Sequence, residues 1–370
     1  MKPLAIYVHV PFCPTKCGYC DFNSYAMDGD IVEQTTEAML REIRQSPWRG
    51  RPASTIFFGG GTPTFLAADA LVGLLRGVME VHPPLDGCEI TSEANPGTVD
   101  ASKFRAMRQG GFNRVSLGAQ SFLNSDLITL GRVHRAGEIE RAVLAAREAG
   151  FDNLNVDLMF ALPDQSVHAW NANLDRALAL RPDHISLYCL TIEPNTAFYK
   201  KNLRGELALP DDEAQVEMYD ECVRRTHEAG FRHYEISNFA LPGRECRHNL
   251  AYWAAEEYAG YGPGAVGAVD IDGVRRRATN LKHPERYVDA VNRGIPLGYD
   301  PEDLDTRTLR TETIMLGLRM NDGFSPDGLN LEAKTLNELT ARGWIEPDKL
   351  RIRLTPEGRH FCSEVALALI

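Results

Sequence analysis

The sequence contains no run of about 18 or more apolar residues, the length a membrane-crossing helix requires, so no such helix is expected. It has no surplus of basic side chains. The 40 Lys and Arg against 51 Asp and Glu leave a net charge of −11, the wrong sign for a general nucleic-acid footprint. The start, Met1-Lys2-Pro3-Leu4-Ala5, lacks the apolar stretch and cleavage site of a secretory signal, and a cytoplasmic location with reduced thiols is the expectation. The haem-attachment pattern C-x-x-C-H is missing, which excludes thioether attachment of that type. Cysteine is sparse. Eight in 370 residues make no disulfide framework, and Cys88, Cys189, Cys222 and Cys362 read as small buried apolar residues.

The remaining cysteines are arranged otherwise. Cys13, Cys17 and Cys20 form C-x3-C-x2-C in a short loop just after a strand-like run, Ala5–Val10. Closed ferredoxin clusters use four Cys ligands, and structural zinc sites use four ligands, commonly in paired C-x2-C knuckles. Three thiolates can instead hold three irons of a cubane cluster and leave the fourth iron open to a small molecule. Tyr19 would lie against that open iron, where its ring could stack on a flat ligand.

Strand-like runs at Ala5–Val10, Thr55–Phe58, Cys88–Glu93, Arg114–Gly118, Asn153–Met159 and His184–Leu190 alternate with amphipathic stretches. Those stretches are Ile31–Ile43, Ala67–Val81, Ala101–Gln109, Ala136–Ala149 and Val167–Leu180. This rhythm implies an α/β fold, a parallel sheet with right-handed crossovers forming a partial, TIM-like (β/α)6 barrel. A helix at Asp212–Ala229 and a strand at His233–Ser237 follow. The expected organisation is a barrel over 1–240 with its N-terminal cysteine loop, a connecting segment over 241–285, and a small winged-helix-like α+β domain over 286–370. In the last, helices at Thr311–Arg319 and Leu331–Arg342 precede a hairpin within Gly343–Thr355 and a final helix. The acidic balance argues against DNA as its partner.

Chemistry in such a fold gathers at the C-terminal ends of the strands. There the sequence places Gly59-Gly60-Gly61-Thr62-Pro63, Glu93, Gln120 and Asp157, with Arg132 as a charged fork for a carboxylate. The glycine run lets backbone approach a ligand, and it is neither G-x-G-x-x-G nor a P-loop. A second cluster, Cys246-Arg247-His248-Asn249-Leu250-Ala251-Tyr252-Trp253, carries side chains that serve as axial haem ligands and flat aromatic faces. Packing of an aromatic helix start against the barrel is the alternative reading.

Taken together, C-x3-C-x2-C after Tyr-x-His-x-Pro-Phe, Gly-Gly-Gly-Thr-Pro-Thr, Ile-Thr-Ser-Glu-Ala-Asn-Pro, Ser-Leu-Gly-Ala-Gln-Ser-Phe and Gly-Arg-x-His resemble the radical S-adenosylmethionine superfamily. More closely the chain resembles the group around oxygen-independent coproporphyrinogen III oxidase. The resemblance implies a [4Fe-4S] cluster on Cys13, Cys17 and Cys20, with S-adenosylmethionine on the open iron and able to yield a 5′-deoxyadenosyl radical. It further implies that Tyr7, Tyr19, Gly60, Gly61, Thr62, Glu93, Gln120, Arg132 and Asp157 line the nucleotide site. The oxidases carry a further Cys two residues after the third cluster Cys; here that residue is Phe22. A haem-chaperone subgroup matches better, its haem-binding motif His-Asn-x-x-Tyr-Trp falling on His248, Asn249, Tyr252 and Trp253. That implies haem b as cargo, haem-acceptor apoproteins and an electron donor such as flavodoxin or ferredoxin, and leaves room for a transient membrane-protein partner and a homodimer. Radical decarboxylation of coproporphyrinogen III is the alternative activity. Val266 stands where the subgroup often has His, so the Gly260–Ala268 loop offers no histidine to a haem.

Overall fold

The computed structural model describes residues 2–348 and 350–370. Met1, in the expected start segment, and Lys349, in the expected C-terminal hairpin, lie outside the described residues. Six strands, β1 (Leu4–Val10), β2 (Ala53–Gly60), β3 (Pro84–Ala94), β4 (Arg114–Gln120), β5 (Leu154–Phe160) and β6 (His184–Cys189), pair in that order, all parallel. Each is followed by a helix that returns the chain to the sheet's starting end. One face of the strands is apolar. Ile56, Phe58, Val115, Leu117, Val156, Leu158, Ile185 and Leu187 are all buried in a single core cluster with the crossover helices.

The opposite face is polar at every second residue: Glu89, Thr91 and Glu93 on β3, Arg114 and Ser116 on β4, Asn155 and Asp157 on β5, His184 and Ser186 on β6. Alternation of this kind in parallel strands marks a sheet that curls around a polar interior rather than one sandwiched between oily layers.

The expected single strand at His233–Ser237 is instead a tight hairpin, β7 (Arg232–Glu235) and β8 (Asn238–Ala240), with β8 antiparallel to β6. The segment expected to be a Gly-rich connector carries three strands, and a fourth follows it. They are β9 (Tyr258–Tyr261), parallel to β1, then β10 (Val266–Ile271), β11 (Val274–Asn280) and β12 (Gly298–Asp303), all antiparallel to their neighbours. The result is an open twelve-stranded sheet with β12 and β7 at its edges. The β10–β11 turn is Asp272-Gly273, both at positive φ (50° and 85°), the conformation a two-residue hairpin demands.

A second core cluster, from Ile314 to Leu369, is built by helices Thr306–Gly317, Ala333–Ala341 and Cys362–Leu369 around the hairpin β13 (Ile345–Pro347) and β14 (Ile352–Leu354). The main sheet ends at Asp303, and the second core cluster begins at Ile314. Cys88 and Cys222 are buried as expected; Cys362 is only partly so. Cys189, the last residue of β6, is exposed at the border of a cavity, with its Sγ 3.6 Å from Gln215 Oε1. Among the described residues no helix is long and apolar enough to cross a membrane.

Gly273 has open space where a Cβ would stand, so only its backbone conformation resists substitution. Gly273→Ala is expected to lower unfolding free energy by about 1 kcal/mol in urea melts, with unchanged secondary structure.

Candidate functional site

At the C-terminal ends of β1–β6 a cavity of about 340 Å³ opens. The cysteine loop roofs one side, closed on itself by a backbone bond from Cys13 to Tyr25 (3.0 Å) and held to the chain after β4 by one from Gly18 to Leu130 (3.2 Å). Lys16 braces the loop from outside by donating to the Phe22 and Ser24 carbonyls and the Ser24 hydroxyl. Opposite lies the β2 glycine turn. Gly60 has φ +111°, and a Cβ there would meet the His9 ring at 2.5 Å; at Gly61 it would meet the Phe12 carbonyl oxygen at 2.5 Å. Only glycines let the two loops approach this closely. Thr62 then reaches Cys13, Oγ1 to Sγ 3.4 Å.

Gln120 sits in the left-handed region (φ 66°) where the β4–β5 register slips by one residue, and this irregularity turns its side chain to the cavity. Arg132 donates through Nη2 to the Gly118 carbonyl (2.8 Å) and through Nη1 to Cys17 Sγ (3.7 Å). Its guanidinium therefore lies beside the thiols, where it offsets the charge of an anionic centre. Glu93 accepts from the Gly60 amide (3.2 Å). Burial, and then the neighbouring Asp157 carboxylate, push its pKa up to about 8. Asp157 is likewise raised by burial, although it accepts from Ser116 (2.9 Å) and Asn155 (2.7 Å).

The cavity thus brings together Cys13, Cys17, Cys20, Tyr19, Gly60, Gly61, Thr62, Glu93, Gln120, Arg132 and Asp157. Tyr7 is not part of this wall. Its hydroxyl donates to His9 Nδ1 (3.0 Å), and His9 Nε2 donates to the Asn23 carbonyl (2.8 Å), which fixes the imidazole under Gly60. Sequence reasoning missed Ser116, Tyr188, Cys189 and Glu193, which also face the cavity. The signal was present in the polar every-second-residue rows His184-x-Ser186-x-Tyr188 and Arg114-x-Ser116.

The donor set fits an iron–sulfur cluster with a nucleotide beside it. Three half-buried thiols stand around one mouth, and among the described residues no three Cys, His, Asp or Glu close on a single point as one metal ion would need. Arg132 also keeps a buried Nε without a partner among the described residues.

His248, Asn249, Tyr252 and Trp253 lie at the other end of the strands, on a short helix, Arg247–Trp253, that floors the barrel. Glu89 of β3 caps its first turn, accepting from the Arg247 and His248 amides (3.2 Å each) and from Cys246 Sγ (3.5 Å). The His248 ring is buried, bonded through Nδ1 to Thr55 Oγ1 (2.8 Å) and stacked 5.0 Å from Phe57 and edge-on to Tyr252. Burial, reinforced by Arg114, lowers its pKa to about 3, so it is a neutral imidazole. Its Nε2 has no partner among the described residues, nor has Trp253 Nε1, and Arg319 lies 4.5 Å over the Trp253 ring. Asn249, Tyr252 and Trp253 are half-buried.

Comparison with known proteins gives these positions a context. Residues 7–177 match the model of the Radical SAM superfamily. The protein named "Heme chaperone HemW" in Bacillus subtilis strain 168 is 36% identical, over 97% of this chain and 97% of its own length. The Escherichia coli K12 protein of the same name is 41% identical, over 78% of this chain and 76% of its own. The solved structure of E. coli coproporphyrinogen III oxidase (HemN), titled a radical SAM enzyme, superposes with a TM-score of 0.85 over 100% of this chain and 90% of that one, at 23% identity, a likeness of fold. The chain therefore belongs to the radical SAM superfamily and, within it, to the HemW family.

Two outcomes test the geometry. Gly61→Ala is expected to displace the cysteine loop from β2, so that anaerobically reconstituted protein holds severalfold less iron while its circular dichroism is unchanged. For Glu93 the folded pKa lies above the unfolded value, so the native state binds more protons between about 4.5 and 8. Stability of the cofactor-free protein should fall as pH rises through that window. In Glu93→Gln, urea melts at pH 5 and pH 8 should show a flatter slope.

Proposed function

We propose that this chain is a haem chaperone: it takes up haem at the Arg247–Trp253 helix and passes it to an acceptor apoprotein, and it carries a [4Fe-4S] cluster with S-adenosylmethionine in the cavity at the far end of the barrel. The observation that carries this reading is the pairing of near full-length similarity to proteins named heme chaperones with the separate His248-Asn249-x-x-Tyr252-Trp253 cluster. When bound, the cluster supplies an electron that can cleave the sulfonium of S-adenosylmethionine, and a flavodoxin- or ferredoxin-like donor would provide it.

The chain's own residues do the rest. Cys13, Cys17 and Cys20 hold three irons. Arg132 offsets their charge, and its second nitrogen keeps the β4 end fixed at Gly118. Gly60, Gly61 and Thr62 offer backbone and hydroxyl groups to a ligand's polar atoms, and Tyr7 acts from beneath through His9. Glu93, Gln120 and Asp157 receive hydroxyl or ammonium groups, and Tyr19 covers the site with a ring held edge-on by Phe198 (6.3 Å).

At the other end His248 is a neutral imidazole with a free Nε2, the state an iron ligand requires. It is enclosed, so ligation needs the floor helix to lift. That helix has seven residues and is anchored at its start by Glu89 and at His248 by Thr55, a small set of bonds to exchange for a haem.

Haem titration of reconstituted protein should show stoichiometric uptake in wild type and an affinity lowered about tenfold or more in His248→Ala. Anaerobic formation of protoporphyrinogen from coproporphyrinogen III, with no specific haem uptake, would replace this reading with the oxidase activity.

A further inference from the structure

A file of hydrogen bonds, branched at Asn155 by Ser116 and Ser186, runs through the barrel interior from the cavity wall to the start of the floor helix. Its members are Asp157, Asn155, His184, Tyr234 and the Cys246 amide. Asn155 Nδ2 donates to Asp157 Oδ1 (2.7 Å) and to Ser116 Oγ (2.7 Å), and Ser116 donates to Asp157 Oδ2 (2.9 Å). A carboxylate can only accept, so the amide is oriented with its oxygen toward β6. His184 Nδ1 meets that oxygen at 2.7 Å and must carry the proton, because amide oxygen only accepts. The neutral ring then presents a bare Nε2 to Tyr234, whose hydroxyl donates to it (2.7 Å). The Tyr234 oxygen in turn accepts from the Cys246 amide (3.3 Å).

Every link donates toward Asp157. Bonds aligned head to tail polarise one another, so a change at one end alters the strength of the rest. Asn155, His184 and Cys246 are at most 2% exposed while Asp157 and Tyr234 are half-buried, so water is kept from the central Asn155–His184 link. The Asn155 amide is a poor proton carrier, so the file transmits orientation and bond strength rather than a proton.

We propose that Asn155, His184 and Tyr234 are positioning residues that couple occupancy of the cysteine cavity to the seating of the floor helix, and so regulate the exposure of His248. This rests on the functional reading above. A ligand hydroxyl or ammonium group that donates to Asp157 draws on the lone pairs that now serve Asn155. Each bond down the file weakens, the hold on the Cys246 amide slackens, and the helix start opens more often. Linkage makes the effect reciprocal: a cargo that keeps the helix lifted strengthens ligand binding at Asp157.

The test is hydrogen exchange of the backbone amides of residues 246–248 in cluster-loaded protein, with and without S-adenosylmethionine, beside a haem titration under the same two conditions. Wild type should exchange about fivefold faster with the nucleotide present, the low end of ordinary coupling energies. Tyr234→Phe removes one oxygen, touches neither the cavity wall nor His248, and should abolish that response while raising the basal exchange of the Cys246 amide about tenfold. No nucleotide effect in wild type, slower exchange, or a response that survives in Tyr234→Phe overturns the coupling. The wild-type arm decides even where the variant fails to fold. Haem uptake without an exchange response refutes the coupling and leaves the chaperone reading intact. An exchange response without haem uptake does the reverse.

Discussion

A polar side chain buried inside a curled sheet needs a partner, because leaving a buried donor or acceptor bare costs about 1–3 kcal/mol. This fold accepts that constraint on four consecutive strands. β3 through β6 each turn a row of polar residues to the barrel interior, and Asn155 joins the rows of β4, β5 and β6 by bonding to Ser116, Asp157, His184 and Ser186. The apolar core on the outer face supplies most of the burial, and the inner network then fixes register. A one-residue slip would drive Asp157 and His184 into the helix layer and Leu158 and Ile185 into the polar space. The cavity wall and the floor of the barrel are thereby two ends of one constrained interior.

Within that frame the two candidate sites make opposite demands. The cysteine cavity needs backbone approach and charge compensation, which two glycines without room for a Cβ and one guanidinium provide. The floor helix needs closure without permanence. Its residues make good contacts, yet two of its buried ring nitrogens go without partners among the described residues. An arrangement with unpaired polar nitrogens on a short helix is a reservoir of unfavourable energy that an incoming ligand can relieve.

Much of this was legible beforehand. The six parallel strands and their crossover helices followed from alternating patterns, and the cavity residues followed from what stood at each strand's end. The edges of the sheet were harder. Ile271-Asp272-Gly273-Val274 is a strong hairpin signal, but the glycines around 260–268 masked the strands flanking it, since glycine carries no side-chain periodicity. The enclosure of His248 could not be read either. It depends on Glu89, 159 residues earlier, meeting the helix start, a contact no local pattern encodes. Cys189 misled because it is the last residue of β6, where burial stops, and nothing local in the sequence marks that point.

The sheet also terminates in an unusual residue. β12 contains Pro301, which has no amide hydrogen to offer, and its Glu302 and Asp303 are drawn back onto Arg277 and Arg276 of β11. A border composed of a missing donor and two engaged acids gives another chain's backbone little to zip onto. The ribbon stops there by composition, and at this border another protein would have to grip surface side chains instead of lengthening the sheet.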